Sequence, residues 1–325
     1  MKSHSILLME PLPQPAHDRL KEVAEVRISP YGVPCPKDGL IKELSTVDGV
    51  IADGTTPFDR KVVQSSPRLK IIARNGVGYD NVDVLAATDK GIFVTNTPGV
   101  LSNAVAELTL GLILCLSRRI CKANDYVRNG TWVRGASPFP FGFDLYQKTL
   151  GIVGLGRIGL EVAKRAQAFK MALLYFDPVR NPQAEKRMEI RYVPFEDLLR
   201  ESDIVSLHLP LSPKTERIIG QKELRMMKPS AYLINTARGR IIDQSALCQA
   251  LQEGWIAGAA LDVLEVEPPP REEPLPPLDN TIITPHIGTA TVETRKLMAL
   301  TAADDVIRVL KGERPVHLLN QELLR

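Results

Sequence analysis

The chain has 325 residues, of which 44% are apolar and 24% are charged, and its formal net charge is +3. These are ordinary values for compact globular proteins and exclude a mainly disordered or collagen-like chain, while the length favours two domains. Because basic residues are scattered among acidic ones, the charge also disfavours a dedicated nucleic-acid binder and leaves a small molecule as the expected partner.

Short β-rich runs alternate with helical patterns over the first hundred residues. Segments such as Asp59–Ser65 and Val82–Asp89 carry the helical patterns and separate the β-rich runs. The predicted strands are Ile6–Met9, Val26–Ser29, Gly49–Ala52, Lys70–Ala73 and Ile92–Val94. This alternation is typical of βαβ units and predicts a parallel sheet.

A helix is predicted over about Ser102–Ser117, after the turn at Pro98 and Gly99. It is apolar nearly all round, so we expect it to be buried between domains or between the subunits of a homodimer. Its most apolar stretch, Leu108–Leu116, is about half of the roughly 20 residues that a membrane span needs. The N-terminus shows no signal-peptide pattern, so we expect a cytoplasmic enzyme with no membrane partner.

The alternating pattern stops between residues 130 and 148, where Phe139, Phe141 and Phe143 mark an aromatic loop. We interpret this loop as a linker with a role at the surface. A second α/β series follows it. The predicted strands of this series are Thr149–Val153, Leu173–Phe176, Asp203–Leu207, Ala231–Ile234, Ile256–Leu261 and Thr281–Thr284.

A last long helix is predicted over about Thr291–Leu310. Gly312 and Pro315 follow it and are typical stop signals, and the helix could return to the first domain. The sequence therefore predicts an α/β protein with two doubly wound parallel-sheet units and a cleft between them.

The strand Thr149–Val153 runs directly into Gly154-Leu155-Gly156-Arg157-Ile158-Gly159, and a helical pattern follows. This is a G-x-G-x-x-G motif between a strand and a helix. Its glycines permit a tight turn and a close approach of the backbone to a pyrophosphate, and the helix N-terminus offers N–H groups to phosphate oxygens. The motif predicts a dinucleotide site with Arg157 and Ile158 beside the phosphates.

Asp177 ends the next strand at about the 20-residue spacing from Gly154 that a ribose-binding carboxylate shows. It should accept hydrogen bonds from the adenosine ribose hydroxyls and repel a 2′-phosphate, which predicts NAD rather than NADP. Arg180 is close enough to weaken that preference. The alternative is an ordinary strand-to-helix turn, with Asp177 capping the next segment.

Four motifs, in this order, resemble those of the D-isomer-specific 2-hydroxyacid dehydrogenases, either glyoxylate/hydroxypyruvate reductases or phosphoglycerate dehydrogenases. The motifs are Arg74–Asn81, Asn235–Arg240, Leu261–Pro268 and Pro285–Gly288. The resemblance covers most of the chain. It implies a flavodoxin-like substrate domain, residues 1–100 plus 290–325, and a Rossmann NAD-binding domain, residues 101–289.

The resemblance implies a catalytic trio of Arg238, Glu267 and His286. A planar guanidinium can bind the carboxylate of a 2-keto acid through two hydrogen bonds and polarise the adjacent carbonyl. A histidine can give a proton to the carbonyl oxygen when hydride arrives, and take it back in the reverse reaction. A glutamate on the other ring nitrogen should orient the imidazole and raise its pKa. Taken singly, the three could be a surface ion-pair residue, a loop carboxylate and a core histidine.

The loop Gly76-Val77-Gly78 should bring the N–H groups of Val77 and Gly78 to the substrate carboxylate, unless it is a plain turn. The resemblance also implies a set of residues around the cofactor, with Asp262 near the nicotinamide amide and His208 as part of the wall rather than as a catalyst. This set is His208, Leu209, Pro210, Thr215, Thr236, Ala237, Asp262 and Gly288.

Two features narrow the expected substrate. Phosphoglycerate dehydrogenases usually carry a basic residue after the strand Gly49–Ala52, but this chain has Asp53-Gly54-Thr55-Thr56 there. The aromatic loop resembles a segment that glyoxylate and hydroxypyruvate reductases lay over a neighbouring subunit's active site. We hypothesise that Phe139 caps the site across a dimer; the alternative is that these aromatics only pack the interface.

The expected reaction is reduction of glyoxylate, hydroxypyruvate or a similar 2-keto acid by NADH. One alternative is a non-enzymatic NAD(H)-sensing scaffold of the corepressor type, which the sequence Ile287–Ala290 disfavours. Another is oxidation of formate or phosphite, which Glu267 disfavours. No metal is expected, because Cys35, Cys115, Cys121 and Cys248 lack metal-site spacing and suit structural thiols in a reducing compartment.

Overall fold

The computed structural model describes residues 4–135, 138–270 and 278–324. The chain divides into two compact units, the first made of residues 1–101 and 289–325 and the second of residues 102–288. The C-terminal helix therefore belongs to the same unit as the N-terminal strands. None of the described helices combines the length and the apolar character that crossing a bilayer requires.

Strands and helices alternate along both units. The strands are β1 (Ser5–Leu8), β2 (Glu25–Ile28), β3 (Gly49–Ala52), β4 (Ile71–Arg74), β5 (Phe93–Thr95), β6 (Thr149–Val153), β7 (Ala172–Phe176), β8 (Arg191–Tyr192), β9 (Ile204–Leu207), β10 (Tyr232–Asn235), β11 (Gly258–Leu261) and β12 (Thr281–Ile283). The helices are α1 (Gln14–Val23), α2 (Lys37–Leu44), α3 (Arg60–Gln64), α4 (Val84–Asp89), α5 (Ser102–Ser117), α6 (Ile120–Arg128), α7 (Arg157–Ala168), α8 (Pro182–Met188), α9 (Phe195–Glu201), α10 (Gln221–Met226), α11 (Gln244–Gln252) and α12 (Val292–Leu310).

The first unit is built on a parallel sheet with the strand order β2-β1-β3-β4-β5. This is the order of the flavodoxin-like fold. β3 is buried along its whole length, because apolar side chains cover both faces of the sheet. Such strands read as continuous apolar runs rather than alternating ones. The substrate-binding role expected for this unit stays a prediction.

The second unit is built on a parallel sheet with the order β12-β11-β10-β9-β6-β7-β8. It is the Rossmann arrangement with one further strand at the β12 edge. The strand order reverses between β6 and β9, where Val153 pairs with Leu207. Ligands bind open sheets of this kind at the carboxyl ends of the strands on either side of the reversal. The fold therefore places the glycine motif where a cofactor is expected.

The predicted α/β class with two doubly wound parallel-sheet units is confirmed. β3, β6 and α5 have the predicted boundaries, and most of the other strands begin or end within one residue of the predicted positions. Two elements lie outside the prediction, the two-residue strand β8 and the helix α6. The four cysteines are free thiols.

Candidate active site

The glycine motif forms the turn between β6 and α7. Gly154 has a φ of +95°, and a Cβ there would lie 2.7 Å from the carbonyl oxygen of His208, so this position favours glycine on both counts. A Cβ built on Gly156 meets no atom within 4 Å, so space is open beside its backbone. Residues 157–159 form the first turn of α7, whose N–H groups and positive dipole end suit a phosphate.

A pocket of about 540 Å³ adjoins this turn. Its lining residues are Leu155, Gly156, Asp177, Val179, Arg180, Asn181, Pro182 and Gln183. Asp177 is fixed by the backbone, since its Oδ2 accepts from Leu155 N and its Oδ1 from Val179 N, both over 3.0 Å. Each oxygen keeps a further lone pair for a ligand hydroxyl. The open turn and the fixed carboxylate therefore fit the pyrophosphate and the adenosine ribose of a dinucleotide.

The loop after β9 lies beside the glycine turn, because β9 and β6 are neighbours in the sheet. Ser206 Oγ and His208 Nε2 are 2.9 Å apart. Burial lowers the pKa of His208 from 6.5 to about 4, so the imidazole is neutral at pH 7. Thr215 Oγ1 donates to Pro210 O over 2.6 Å and closes the turn that follows Leu209. The expected place of His208 in the cofactor wall, rather than as a catalyst, stays a prediction.

Arg238 stands in the loop that follows β10, and the fully buried Asn235 shapes this loop. Asn235 Oδ1 accepts from Ala237 N over 3.0 Å, and its Nδ2 donates to Arg238 O over 2.8 Å. The guanidinium is oriented locally, since Arg238 Nη1 donates to Ala237 O over 2.8 Å. Behind the loop, the hydroxyls of Thr236 and Thr109 are 3.0 Å apart and buried.

The Arg238 loop and the loop that carries Glu267 are in close contact. A Cβ at Gly239 would collide with the backbone of Leu264 and Glu265, so glycine is what permits this approach. The contact brings the Arg238 charge near enough to act on the Glu267 carboxyl. Sequence reasoning placed both residues at the site, and the structure shows that their loops meet.

Glu267 and His286 form a hydrogen-bonded pair, with 2.7 Å between Glu267 Oε2 and His286 Nδ1. The other carboxylate oxygen accepts from Leu264 N over 2.8 Å. Burial works to raise the pKa of Glu267, but the bonds from His286 and Leu264 and the charges of His286 and Arg238 prevail and hold it below its ordinary value. The carboxylate therefore stays ionised, while the imidazole itself is 48% exposed.

Asp262 is 1% exposed, and its carboxylate is engaged by the loop that carries His286. Its Oδ1 accepts from Thr284 Oγ1 over 2.6 Å and from Ile287 N over 2.8 Å, and its Oδ2 accepts from Gly288 N over 2.8 Å. The contact with the nicotinamide amide that the resemblance implied stays a prediction. The observed contacts give Asp262 a structural role that sequence reasoning did not foresee.

Asn235, Thr109 and Gln244 support the site but were not among the predicted site residues. Gln244 Oε1 accepts from Glu265 N over 3.0 Å and so holds the loop that leads to Glu267. Asn235 had a signal in the sequence, because it opens the motif that ends at Arg240. Thr109 and Gln244 had none, since their partners lie far away along the chain.

In the first unit, the predicted substrate loop Gly76–Gly78 is held by the segment after β5. Gly76 O accepts from Thr97 N over 3.0 Å, and Val77 O accepts from Asn96 Nδ2 over 2.8 Å. These bonds fix the loop through its carbonyl groups. The predicted role of the Val77 and Gly78 amides stays open.

Asp53 lies at the position, just after β3, where phosphoglycerate dehydrogenases usually carry a basic residue. It is 3% exposed and stabilises the turn that follows the strand. Its Oδ1 accepts from Thr55 N, Thr55 Oγ1 and Thr56 N over 2.6 to 2.8 Å. Burial works to raise the pKa of Asp53, but these bonds outweigh it and lower the pKa. The position therefore holds a buried negative charge.

The three phenylalanines of the aromatic loop have different surroundings. Phe143 is half-buried and stacks on Tyr232, with ring centroids 5.0 Å apart, so it packs against the core of its own unit. Phe139 packs edge-on against Tyr126 of α6 at 5.5 Å. Phe141 is 90% exposed. Of the three phenylalanines, Phe141 is thus the one that projects into solvent.

The apolar surface of this region lies on α6 and the residues after it. α5 is buried within the second unit, where it packs against α7 and the strands β10–β12. α6, by contrast, has no buried residue among those described. Ile120, Val127, Trp132 and Val133 are each about half exposed or more.

Comparison with known proteins assigns this arrangement to a family. Residues 110–288 match the family model described as D-isomer specific 2-hydroxyacid dehydrogenase, NAD binding domain. A glyoxylate reductase of Korarchaeum cryptofilum is 43% identical over 98% of this chain and 97% of its own. A glyoxylate reductase of Thermococcus litoralis is 48% identical over 89% of this chain and 88% of its own.

A solved structure shows the same architecture. It is an NADPH-dependent glyoxylate/hydroxypyruvate reductase from Sinorhizobium meliloti, in complex with NADP and malonate. The TM-score is 0.87 at 31% identity, over 98% of this chain and 97% of that one. These similarities extend over both units.

Proposed function

Because the chain belongs to the D-isomer specific 2-hydroxyacid dehydrogenase family and is an oxidoreductase of hydroxyacids, we propose that it reduces glyoxylate or hydroxypyruvate with NADH. The observation that carries this proposal is the pair of Glu267 and His286 in the same unit as Arg238 and the glycine turn. The reaction requires a cation that binds the substrate carboxylate, a general acid–base and a dinucleotide-binding turn.

The proposed catalytic roles follow from which atoms are already engaged. Arg238 binds the keto acid carboxylate and polarises the neighbouring carbonyl. Since Glu267 accepts from His286 Nδ1, the nitrogen left for proton transfer is Nε2. Nε2 gives its proton to the carbonyl oxygen in reduction and takes a proton from the hydroxyl in oxidation. NAD(H), when bound, would supply or accept the hydride, and the glycine turn would hold its pyrophosphate.

NADH is proposed over NADPH because Asp177 lines the pocket that fits the adenosine ribose. Its carboxylate would accept from the ribose hydroxyls and repel a 2′-phosphate. The Sinorhizobium meliloti relative uses NADPH, so cofactor choice varies among related chains. The lining of this pocket is what supports NADH here.

Glyoxylate and hydroxypyruvate are proposed as substrates for two reasons. The two curated relatives described above are glyoxylate reductases. The buried, ionised Asp53 would repel a phosphorylated substrate at the position where phosphoglycerate dehydrogenases usually carry a basic residue. We further propose that the Val77 and Gly78 amides bind the substrate carboxylate.

We also propose a homodimer that uses α6 together with Trp132, Val133 and Phe141. An amphipathic helix with no buried residue, followed by an exposed tryptophan and an exposed phenylalanine, leaves an apolar surface that a second copy would cover. Phe141, rather than Phe139, is then the side chain placed to reach the other copy. Sedimentation velocity that gives a single monomeric species at micromolar concentrations would exclude this dimer.

Oxidation of NADH and of NADPH, followed by absorbance across a panel of 2-keto acids, tests the function. Glyoxylate or hydroxypyruvate should stimulate NADH oxidation, and Arg238→Ala and His286→Ala should abolish the stimulation. Tight NADH binding without turnover of any acid would contradict the proposal and favour a nicotinamide-sensing scaffold.

A further inference from the structure

Arg180 is the basic side chain among the residues that line the pocket beside Asp177. A guanidinium at such a position is the usual binding group for the 2′-phosphate of NADP. In this chain it is already engaged. Arg180 Nε donates to Glu185 Oε1 over 2.8 Å and its Nη2 donates to Glu185 Oε2 over 2.7 Å, which is a two-bond ion pair.

Glu185 is in turn fixed to the core of the unit. The hydroxyl of Tyr175, a fully buried residue, donates to Glu185 Oε1 over 2.7 Å and accepts from Asn181 N over 2.8 Å. The bonds from Arg180 and Tyr175 lower the pKa of Glu185 to about 2, so the carboxylate is ionised at every physiological pH. The carboxylate is therefore held in place before any ligand arrives.

The ring of Tyr192 adds a further contact to the guanidinium. Arg180 Cζ lies 5.5 Å from its centroid, within the range of a cation–π interaction. Arg180 thus has an ion-pair partner and an aromatic neighbour, both within the second unit. Its side chain is nevertheless 62% exposed, so a change in its partners would leave it free to turn towards a ligand.

We propose that Glu185 is a specificity-determining residue for the cofactor, because it holds Arg180 in a two-bond ion pair and so withholds the cation of the ribose pocket from a 2′-phosphate. This role rests on the NADH preference proposed above and adds a second component to it. Asp177 repels the phosphate directly, whereas Glu185 neutralises the group that would attract it. Glu185 acts as a positioning residue, through Arg180.

Glu185→Gln tests this role, because glutamine keeps an oxygen for the Tyr175 hydroxyl but loses the charge that holds Arg180. The dissociation constants of NADH and NADPH are measured by calorimetry for the parent and the variant. We expect the ratio of the NADPH constant to the NADH constant to fall about fivefold to tenfold in Glu185→Gln. The gain in NADPH affinity relative to NADH should be smaller at high salt, since the released Arg180 guanidinium is exposed and its charge is screened.

Three further variants identify the cause. Glu185→Gln combined with Arg180→Met should return the ratio to that of the parent. Glu185→Asp, which keeps the charge but cannot reach Tyr175 and both guanidinium nitrogens together, should give a smaller gain. Glu201→Gln is the matched control, since it removes the same charge from another arginine–glutamate ion pair of this unit, with Arg191.

Several results would overturn the role of Glu185. The first is an unchanged ratio of the NADPH and NADH dissociation constants in Glu185→Gln. The second is a gain in NADPH affinity that persists when Arg180→Met is added, and the third is a loss of NADPH affinity when Arg180→Met is made in the parent. The last variant also covers the case in which Glu185→Gln does not fold. If the parent binds neither cofactor, the proposed function itself is refuted. If the parent reduces glyoxylate with NADH but Glu185→Gln keeps the parental ratio of the two dissociation constants, only the role of Glu185 is refuted.

Discussion

The backbone N–H of His286 donates to the carbonyl oxygen of Asp262 over 2.9 Å, and the Asp262 carboxylate holds the two residues that follow His286. His286 has a φ of +53°, in the left-handed region that non-glycine residues rarely adopt. Such a conformation persists where surrounding bonds over-determine it. The position of the imidazole therefore depends on a buried carboxylate outside the predicted trio.

Asp262→Asn tests this dependence. The amide would place a donor against one of the N–H groups or the hydroxyl that the carboxylate now accepts from, and a buried unsatisfied donor costs about 1–3 kcal/mol. We expect a lower thermal midpoint and a turnover number reduced about tenfold. Asp279→Asn is the control, because Asp279 is fully exposed and pairs with Lys122 at the surface. Equal midpoints for both variants would show that the carboxylate does not hold the loop.

Arg238→Gln should lower kcat/KM for glyoxylate about a hundredfold to a thousandfold, because glutamine cannot offer a charged two-bond clamp to a carboxylate. Part of the loss should be a raised KM, since the carboxylate is bound before hydride transfer. Arg240→Gln is the matched control two residues along, where the side chain pairs with Glu216 at the surface. Similar kinetic losses in both variants would contradict the role of Arg238.

Glu267→Gln should lower the turnover number about tenfold to a hundredfold at pH 7, because the imidazole loses its carboxylate partner. It should also change the response to acid. The pKa of Glu267 is lower in the folded state than its ordinary 4.5, so its contribution to stability is complete above 4.5 and is lost as pH falls through the lowered value.

Urea unfolding between about pH 6 and pH 3 measures this contribution. The parent should lose more stability over that range than Glu267→Gln, which cannot titrate at this position. Parallel losses in the two proteins would show that the carboxylate is not held ionised by His286 and Leu264.

Sequence reasoning succeeded where the signal is local. β3 and β6 were predicted to the residue because buried central strands read as apolar runs bounded by turn residues. β8 was missed because it has two residues and exists through its pairing with β7. α6 was not predicted, and it is an amphipathic helix with none of its described residues buried.

The same limit applies to the site. The pair of Glu267 and His286 could be expected from residue types and motifs, and the structure brings the two side chains together. The contacts of the Asp262 carboxylate could not be expected, because they depend on which backbone N–H groups face this side chain after folding. Such contacts are set by loop conformation rather than by spacing.

The lowered pKa of His208 predicts a second dependence of the free energy of unfolding on pH. Its pKa falls from 6.5 to about 4 on burial, so between these values the unfolded chain binds a proton that the folded chain does not. Stability should therefore fall as pH drops from 6.5 towards 4, by about 1–3 kcal/mol. His208→Gln should remove this loss in urea unfolding at pH 7 and at about pH 5. An unchanged pH dependence in the variant would contradict the neutral state of His208.

The aromatic loop gives the last prediction, since its phenylalanines have different surroundings. Phe143→Ala removes a ring stacked on Tyr232 and should lower the free energy of unfolding by about 2–4 kcal/mol, as for other packed aromatics. Phe141→Ala removes a ring that is 90% exposed and should leave the unfolding of a monomer unchanged, while it weakens the proposed dimer.

Urea unfolding and sedimentation at several protein concentrations separate these effects, and the Michaelis constants for glyoxylate and hydroxypyruvate test capping. If Phe141 caps the site of a second copy, its variant should raise the Michaelis constant, whereas Phe139→Ala should act mainly by releasing Tyr126 of α6. If both variants keep the parental kinetics with every keto acid tried, capping is excluded and the phenylalanines serve in packing. A kinetic change confined to Phe139→Ala would instead return the capping role to the residue first expected from the sequence.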